Sequence, residues 1–243
     1  MNAPSDDVVT AAPQVRVPVR GGGTFPVRRV YCVGRNFVDH AKEMGVAASA
    51  APSERGDPVF FSKPADAIVL DETVAYPPAT RELHHEVELV VALGRDAPRG
   101  VLAVEDAQAL VFGYGVGLDL TRRDLQAAAK AKGLPWDTAK GFDESAPMSE
   151  LVPAAQVGDL GGRTLSLEVE GVVRQRATLD QLIWNVPEIL HELSKLFALR
   201  AGDLVFMGTP AGVAALLPGD RCVGRLDDLI ELRCRIAPPS AAL

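Results

Sequence analysis

Hydrophobic and polar positions change period along the chain, and the changes mark its elements. Up to about Phe25 the chain is rich in Ala, Pro, Gly and Asp and shows no period, which predicts a loose arm over residues 1–25. From Val27, VRRVYCVG reads as a buried strand and NFVDHAKEMG as a short helix stopped by Gly45. The low-hydrophobicity stretch VAASAAPSERGD then predicts a loop. PVFFSKP and ELHHEVELVVALG read as strands, the second alternating before it turns continuously apolar, as a strand entering a core does. The stretch around Val101 to Gly113 predicts a helix, followed by the glycine-rich strand GYGVGLDL.

TRRDLQAAAKAKGLP predicts a helix, with Thr121 and Asp124 as a capping pair and Gly133 and Pro135 as its stop. TLSLEVEGVVRQ predicts a hairpin turning near Gly171. NVPEILHELSKLFAL predicts an amphipathic helix that starts at Asn185 and Glu188 and carries Leu190, Leu193 and Phe197 on one stripe. DLVFMG and LIELRCRI predict closing strands. The sum is a β-rich α+β chain without regular βα alternation, organised as an arm (1–25) and one domain (26–243).

Composition narrows the function classes. The 243 residues carry 25 Lys and Arg against 32 Asp and Glu, a formal charge of −7. A nucleic-acid surface needs clustered cations, so a small-molecule partner is expected instead. A chain this long buries a core without a structural metal, so any metal site is suspected of chemistry. Cys32, Cys222 and Cys234 form no C-x-x-C pair and sit in apolar or strand-like runs, which fits buried, reduced thiols. The first residues lack a basic start followed by an apolar core, and no run approaches the roughly 20 apolar residues of a membrane span, so a cytoplasmic protein without membrane contact is expected.

Three acids stand out. Glu86 and Glu88 flank Val87 in a strand pattern, so they share a face, roughly 6–7 Å apart. Ionised carboxylates that close are tolerated near an apolar interior when a cation or a shared proton separates them. Asp119 follows the glycine-rich strand. Three carboxylates without Cys or H-x-x-H spacing make a hard-oxygen set suited to Mg²⁺, Mn²⁺ or Ca²⁺. The alternative, a solvent-facing E-x-E on a half-exposed strand, stays open on spacing alone. His84 shares that face, either as a further ligand or as a packing or hydrogen-bonding residue.

His40 and Glu43 are neighbours at helical spacing, an arrangement in which the carboxylate orients the imidazole to take a proton from water; an ordinary surface pair has the same spacing. Lys140, between Ala139 and Gly141, is a candidate oxyanion stabiliser or a solvated loop lysine. Gly208, Thr209 and Pro210, directly after an apolar strand, form a turn that is either plain or an anion cradle.

Taken in order, the strings YCVGRNFVDHAKEMG, PVFFSKP, LHHEVELVVALG, GYGVGLDLTRRDLQ, KGLPWDTAKGFDESAP, VEGVVRQ and DLVFMGTPAGV resemble the fumarylacetoacetate hydrolase family, in its short acylpyruvate-hydrolysing branch. The resemblance implies a mixed β-sandwich roll, a homodimer, and a Mg²⁺ or Mn²⁺ site held by Glu86, Glu88 and Asp119. It implies His40 and Glu43 as the catalytic dyad, Lys140 as the cationic partner, and Arg123, Gln126 and Thr209 as substrate contacts.

The implied reaction is hydrolysis of the carbon–carbon bond of an acylpyruvate. The PWDTAKGFD wording and the length are most similar to members that cleave fumarylpyruvate to fumarate and pyruvate in gentisate-type aromatic degradation. General acylpyruvases, oxaloacetate decarboxylases and 2-hydroxyhepta-2,4-diene-1,7-dioate isomerase-type enzymes of the family stay open, as does a non-catalytic small-molecule binder. For the far end of a dianionic substrate, Arg55 or Arg122 is the candidate cation.

Overall fold

A computed structural model describes residues 8–10, 12–43, 45 and 54–238. Two sheets dominate it. The first runs in the order Val152–Pro153, Val111–Leu118, Val87–Leu93, Asp203–Phe206, Arg29–Gly34, Val59–Lys63. Only the Asp203–Phe206 to Arg29–Gly34 pairing within it is parallel. The second runs in the order Val172–Thr178, Thr164–Val169, Arg221–Leu226, Ile230–Ala237, Thr73–Ala75. This is the β-rich α+β arrangement expected of the sequence.

All of Val87–Leu93 is buried, although a strand in a two-layer sandwich normally has one wet face. Leu89, Val91 and Leu93 pack toward the second sheet with Leu165, Leu167 and Leu232, and Gly224 brings the layers together: a Cβ there would lie 3.0 Å from Val116 Cγ1. On the opposite face Val90 and Ala92 join Val30, Leu204 and Phe206 in a second core. That core is roofed by Val17, Phe25, Ile68 and Met148. The near-continuous apolar run therefore serves two cores.

The roof revises the reading of the N-terminal stretch. Between Arg16 and Pro26 the chain is an antiparallel hairpin, Arg16–Pro18 on Thr24–Pro26, with Val17 0% and Phe25 6% exposed. Three-residue strands interrupted by Pro18, Pro26 and the Gly21–Gly23 turn carry no readable period. Other boundaries shift for local reasons. The helix expected over Val101 to Gly113 shrinks to Val104–Ala107 and the 3₁₀ turn Gln108–Leu110, because the sheet claims Val111 onward. Residues 46–53 of the expected loop lie outside the described residues.

The helix Arg123–Ala131 forms, but Arg122 occupies its N-cap without a side-chain hydrogen bond. Thr121 Oγ1 donates to the Asp119 carbonyl instead, and Asp124 accepts from Thr80 Oγ1 at 2.6 Å. On the helix Val186–Leu196 the capping box is complete: Asn185 Oδ1 accepts from the Glu188 N–H, and Glu188 Oε2 accepts from the Asn185 N–H, both at 3.0 Å. Glu170 and Gly171, at φ 51° and 75°, turn the hairpin between Thr164–Val169 and Val172–Thr178. Cys32, Cys222 and Cys234 are free and buried. No helix among the described residues is long and apolar enough to cross a membrane.

Candidate functional site

The three acids meet where the paired strands Val87–Leu93 and Val111–Leu118 end. The ladder pairs Glu88 with Gly117 and Val87 with Leu118, and it continues one step as the Asp119 N–H donates to the Glu86 carbonyl at 2.8 Å. Glu86 and Asp119 thus stand opposite each other, with Glu88 two residues along the same face. One carboxylate oxygen from each lies within 4.8 Å of the others, and all three residues are buried.

Glu86 precedes the strand instead of lying inside it, because Gln175 Oε1 takes the Val87 N–H at 3.0 Å and His85 Nδ1 at 2.9 Å, breaking the run between His84 and Val87. The alternation argument nevertheless brings both glutamates to one point. Their burial disposes of the solvent-facing alternative.

Cations neutralise the cluster. Lys140, the last residue of the short helix Asp137–Lys140, donates to Glu86 Oε2 at 2.8 Å and also to Asp119 Oδ2. Arg123 pairs with Glu86 Oε1, donates to Gln126 Oε1 at 2.6 Å and lies 3.4 Å from His84 Nδ1. Burial would raise the Glu86 carboxyl, but Lys140 and Arg123 outweigh it and hold the group below the usual carboxylate range. Burial likewise opposes the Lys140 ammonium, and Asp119 and Glu86 reverse that and push it up. Glu88 has only the Gly208 N–H on Oε2, at 2.7 Å, so burial and the neighbouring Asp119 and Glu86 push its carboxyl well up. That amide reaches it because Gly208 turns at φ 93°, where a Cβ would lie 2.8 Å from Asn36 Cβ.

The donor set fits a divalent cation of the Mg²⁺ or Mn²⁺ kind. Three hard oxygens converge, one of them on a carboxyl with no cation of its own. Asp119 Oδ1 is buried without a hydrogen bond and has Lys63 Nζ as an ion-pair partner at 2.9 Å.

Lys63 escaped the sequence reading. Its fully buried ammonium also donates to the Leu120 carbonyl at 3.2 Å and to the Lys140 carbonyl, so it ties the strand ending at Lys63 to the backbone beside two site residues. A lysine closing an apolar strand was the available signal. Exchange of Lys63 for Met removes one of the two ammonium partners of buried Asp119 and a donor to the Leu120 and Lys140 carbonyls. It is expected to cost about 3–5 kcal/mol in urea unfolding, and a loss below 1 kcal/mol would show the contacts to be dispensable. Gln175 also escaped, being a polar residue on an otherwise ordinary strand. Its Nε2 donates to Thr209 Oγ1 and the Pro210 carbonyl, both at 2.8 Å, which fixes the turn after Phe206.

His40 lies in the same cleft as Glu86, Thr209 and Gln126. It is buried on the helix Val38–Glu43, with Nδ1 3.5 Å from Glu43 Oε2 and otherwise unpartnered. Glu43 also accepts from the Gly212 N–H at 3.1 Å, which anchors the half-exposed carboxylate to the Thr209 turn. Burial lowers the imidazole's pKa, with Glu86 and Glu43 opposing in part, so the ring is neutral at pH 7. His84, also desolvated and facing Arg123, falls to about 4.

The cleft is tight, about 30 Å³, because Arg123 and Lys140 fill it. A larger cavity, about 830 Å³, is lined by Arg55, Leu179 and Glu188 and contains none of Glu86, Glu88 and Asp119, so chemistry and not volume locates the site. The two arginines considered for a far carboxylate are engaged elsewhere. Arg55 pairs with Glu188 at 2.9 Å and stacks on Trp184 at 3.6 Å. Arg122 stacks on Phe142 at 4.4 Å and donates to the Thr138 carbonyl.

A fumarylpyruvate hydrolase of Ralstonia sp is 42% identical over 179 residues, 74% of this chain and 92% of the relative. An oxaloacetate tautomerase of Escherichia coli (strain K12) is 43% identical over 205 residues, 84% and 90% of the two chains. The crystal structure of fumarylpyruvate hydrolase from Pseudomonas aeruginosa in complex with Mn²⁺ and pyruvate superposes with a TM-score of 0.88 at 45% identity, covering 96% of this chain and all of that one. Residues 29–237 match the family described as fumarylacetoacetate (FAA) hydrolase C-terminal, and the chain belongs to that family.

Proposed function

We propose that this protein is a divalent-cation-dependent hydrolase that splits the carbon–carbon bond of an acylpyruvate, with fumarylpyruvate, an intermediate of gentisate-type aromatic degradation, as its substrate. The observation that carries this reading is the buried Glu86, Glu88 and Asp119 cluster sharing a cleft with a neutral His40 and the cations Arg123 and Lys140.

Glu86, Glu88 and Asp119 would hold a Mg²⁺ or Mn²⁺ ion, which would supply Lewis acidity to the 2-oxo acid end of the substrate. Arg123 and Gln126 orient that end, and Thr209, fixed by Gln175, bounds it. His40 takes a proton from water, with Glu43 holding the imidazole, and the water oxygen bonds to the distal carbonyl carbon. Lys140 offsets the charge developing on the carbonyl oxygen. As the carbon–carbon bond breaks, its electron pair passes to the pyruvate fragment as an enolate. The His40 imidazolium returns the proton to that carbon, giving pyruvate and a carboxylic acid.

In support, a fumarylpyruvate hydrolase is among the relatives and a second was crystallised with Mn²⁺ and pyruvate. A second reading, tautomerisation of oxaloacetate, is favoured by the tautomerase of equal similarity. We assign the catalytic unit to residues 26–243, with the Arg16–Pro26 hairpin as the roof of its second core, working as a homodimer in the cytoplasm.

Protein supplied with Mg²⁺ should consume the fumarylpyruvate enol and release pyruvate, and EDTA should stop it. Inactivity on fumarylpyruvate, acetylpyruvate and oxaloacetate alike would sink the reading. Loss of the oxaloacetate enol without pyruvate release would favour the tautomerase.

The depressed pKa of His40 gives a pH signature. The base is neutral above its folded pKa, which lies below 6.5, and a bound cation lowers it further. The value of kcat/KM should therefore be level from pH 7 upward and fall on the acid side with a midpoint below 6.5. Folding shares the sign: His40, His84 and His85 all bind protons more readily unfolded, so stability declines as pH drops below about 6.5. An acid limb centred above 6.5 would remove His40 as the base.

A further inference from the structure

The chain from Met207 to Leu216 returns along the segment that carries Glu86 and Glu88, and backbone bonds lace the two together at both ends. The Met207 N–H donates to the Leu89 carbonyl at 2.9 Å, the His85 N–H to the Ala214 carbonyl at 3.1 Å and the Leu216 N–H to the Leu83 carbonyl at 2.7 Å. Among the described residues no backbone bond joins 208–212 to 86–88, and the amide of Gln175, from the strand Val172–Thr178 of the other sheet, bridges them instead. Its Oε1 accepts from the Val87 N–H at 3.0 Å, and its Nε2 donates to the Pro210 carbonyl at 2.8 Å. A side-chain amide has the donor and acceptor of a peptide group, so Gln175 is spliced into the ladder where the backbone leaves it.

The second lone pair and the second proton of the amide go to His85 Nδ1 and Thr209 Oγ1, at 2.9 and 2.8 Å. With all four positions used and 1% of the residue exposed, the amide has one orientation. A flip would set its NH₂ against the Val87 N–H and its oxygen against the Pro210 carbonyl.

The turn held in this way serves two carboxylates. At its start the Gly208 N–H donates to Glu88 Oε2 at 2.7 Å, and at its end the Gly212 N–H donates to Glu43 Oε1 at 3.1 Å. Glu88 belongs to the acid cluster, and Glu43 is the partner of His40. Gly212 has φ 98°, and a Cβ there would lie 2.1 Å from the Arg174 carbonyl oxygen, so this end of the turn is seated on the backbone beside Gln175. Any displacement of the turn carries both amides with it.

We propose that Gln175 is a positioning residue for the reaction: it fixes the turn 208–212 and, through the turn's two end amides, aligns Glu88 with Glu43 while bonding to neither. Through the Val87 N–H it also fixes the backbone between the two glutamates of the acid cluster. The inference rests on the hydrolase reading of the site.

The test uses two substitutions. Gln175→Asn keeps the amide but is one methylene too short to span Val87 and Pro210, and Gln175→Met keeps the length but loses the amide. In Mn²⁺ titration calorimetry both should weaken cation binding about 10–100-fold, the range for removing a group that orients metal ligands from behind. With Mn²⁺ saturating, kcat on fumarylpyruvate should fall by a similar factor. A role in stability alone would lower the melting temperature and leave the Mn²⁺ dissociation constant and kcat of the folded protein unchanged, and that result overturns the proposal. Pairing Gln175→Asn with Glu43→Gln reads the link to His40. If Gln175 acts by holding the Glu43 carboxylate in place, its substitution costs less once that carboxylate is gone, so the double variant should lose less kcat than the product of the single losses. Losses that multiply to within about twofold overturn that link. Should Gln175→Met fail to fold, Gln175→Asn, which keeps a polar group at the buried position, decides alone. An unaltered protein inactive on every acylpyruvate, whose Mn²⁺ affinity still falls with Gln175→Asn, would overturn the hydrolase reading and keep Gln175 as the residue that positions the cation site.

Discussion

Replacing His40 with alanine should lower hydrolysis of the acylpyruvate about 10²–10⁴-fold, the range for loss of a positioned general base, and leave Mn²⁺ binding unchanged. The split follows from the geometry. His40 is buried in the same cleft as the acids, yet the converging oxygens belong to Glu86, Glu88 and Asp119 alone. The loss should fall on kcat, because the 2-oxo acid end of the substrate is held by Arg123 and Gln126. Glu43→Gln should cost less, since the neutral amide still fills the place between His40 and the Gly212 N–H but no longer favours the imidazolium. Steady-state kinetics and Mn²⁺ calorimetry on the same preparations check this. A His40→Ala protein within tenfold of the unaltered rate would remove His40 from the chemistry, and one that loses Mn²⁺ would make it part of the cation site.

What the sequence revealed about the site depended on whether a residue's partners are local in the chain. Glu86 and Glu88 are two apart and Asp119 ends a recognisable strand, so convergence was legible even though Glu86 lies just outside its strand. His40 and Glu43 are close for the same reason. Lys63 and Gln175 come from two strands distant in sequence, Val59–Lys63 and Val172–Thr178, and only the folded sheets bring them against Asp119 and Thr209. For Lys140 the sequence leaves a solvated loop lysine open, but the helix Asp137–Lys140 buries it against two acids. Arg55 and Arg122 had the right charge, and Glu188, Trp184 and Phe142 claimed them, partners that charge pattern alone does not disclose. In the fold, strands long enough to show alternation were legible, and the three-residue strands of the Arg16–Pro26 hairpin were not.

Exchange of Glu88 for Gln should separate stability from cation binding. In the cation-free protein Glu88 is the acid without a cation partner, and its carboxyl is pushed well up by burial and by Asp119 and Glu86. A neutral amide relieves that repulsion and still accepts from the Gly208 N–H, so the melting temperature in EDTA should stay level or rise. Glu86→Gln should do the opposite. It leaves Lys140 and Arg123 facing one anion fewer, and breaking a buried ionic cluster from one side costs about 3–5 kcal/mol. With Mn²⁺ at about 100 times its dissociation constant, the unaltered protein should gain about 2.7 kcal/mol, a rise of roughly 5–10 °C for a chain this size. Glu88→Gln should show no such rise, because one of three hard ligands is gone. Differential scanning calorimetry in EDTA and in Mn²⁺ reads both arms. A Glu88→Gln protein that melts well below the unaltered chain in EDTA would show that Glu88 is ionised and already compensated there, and one that keeps the full Mn²⁺ rise would take Glu88 out of the ligand set.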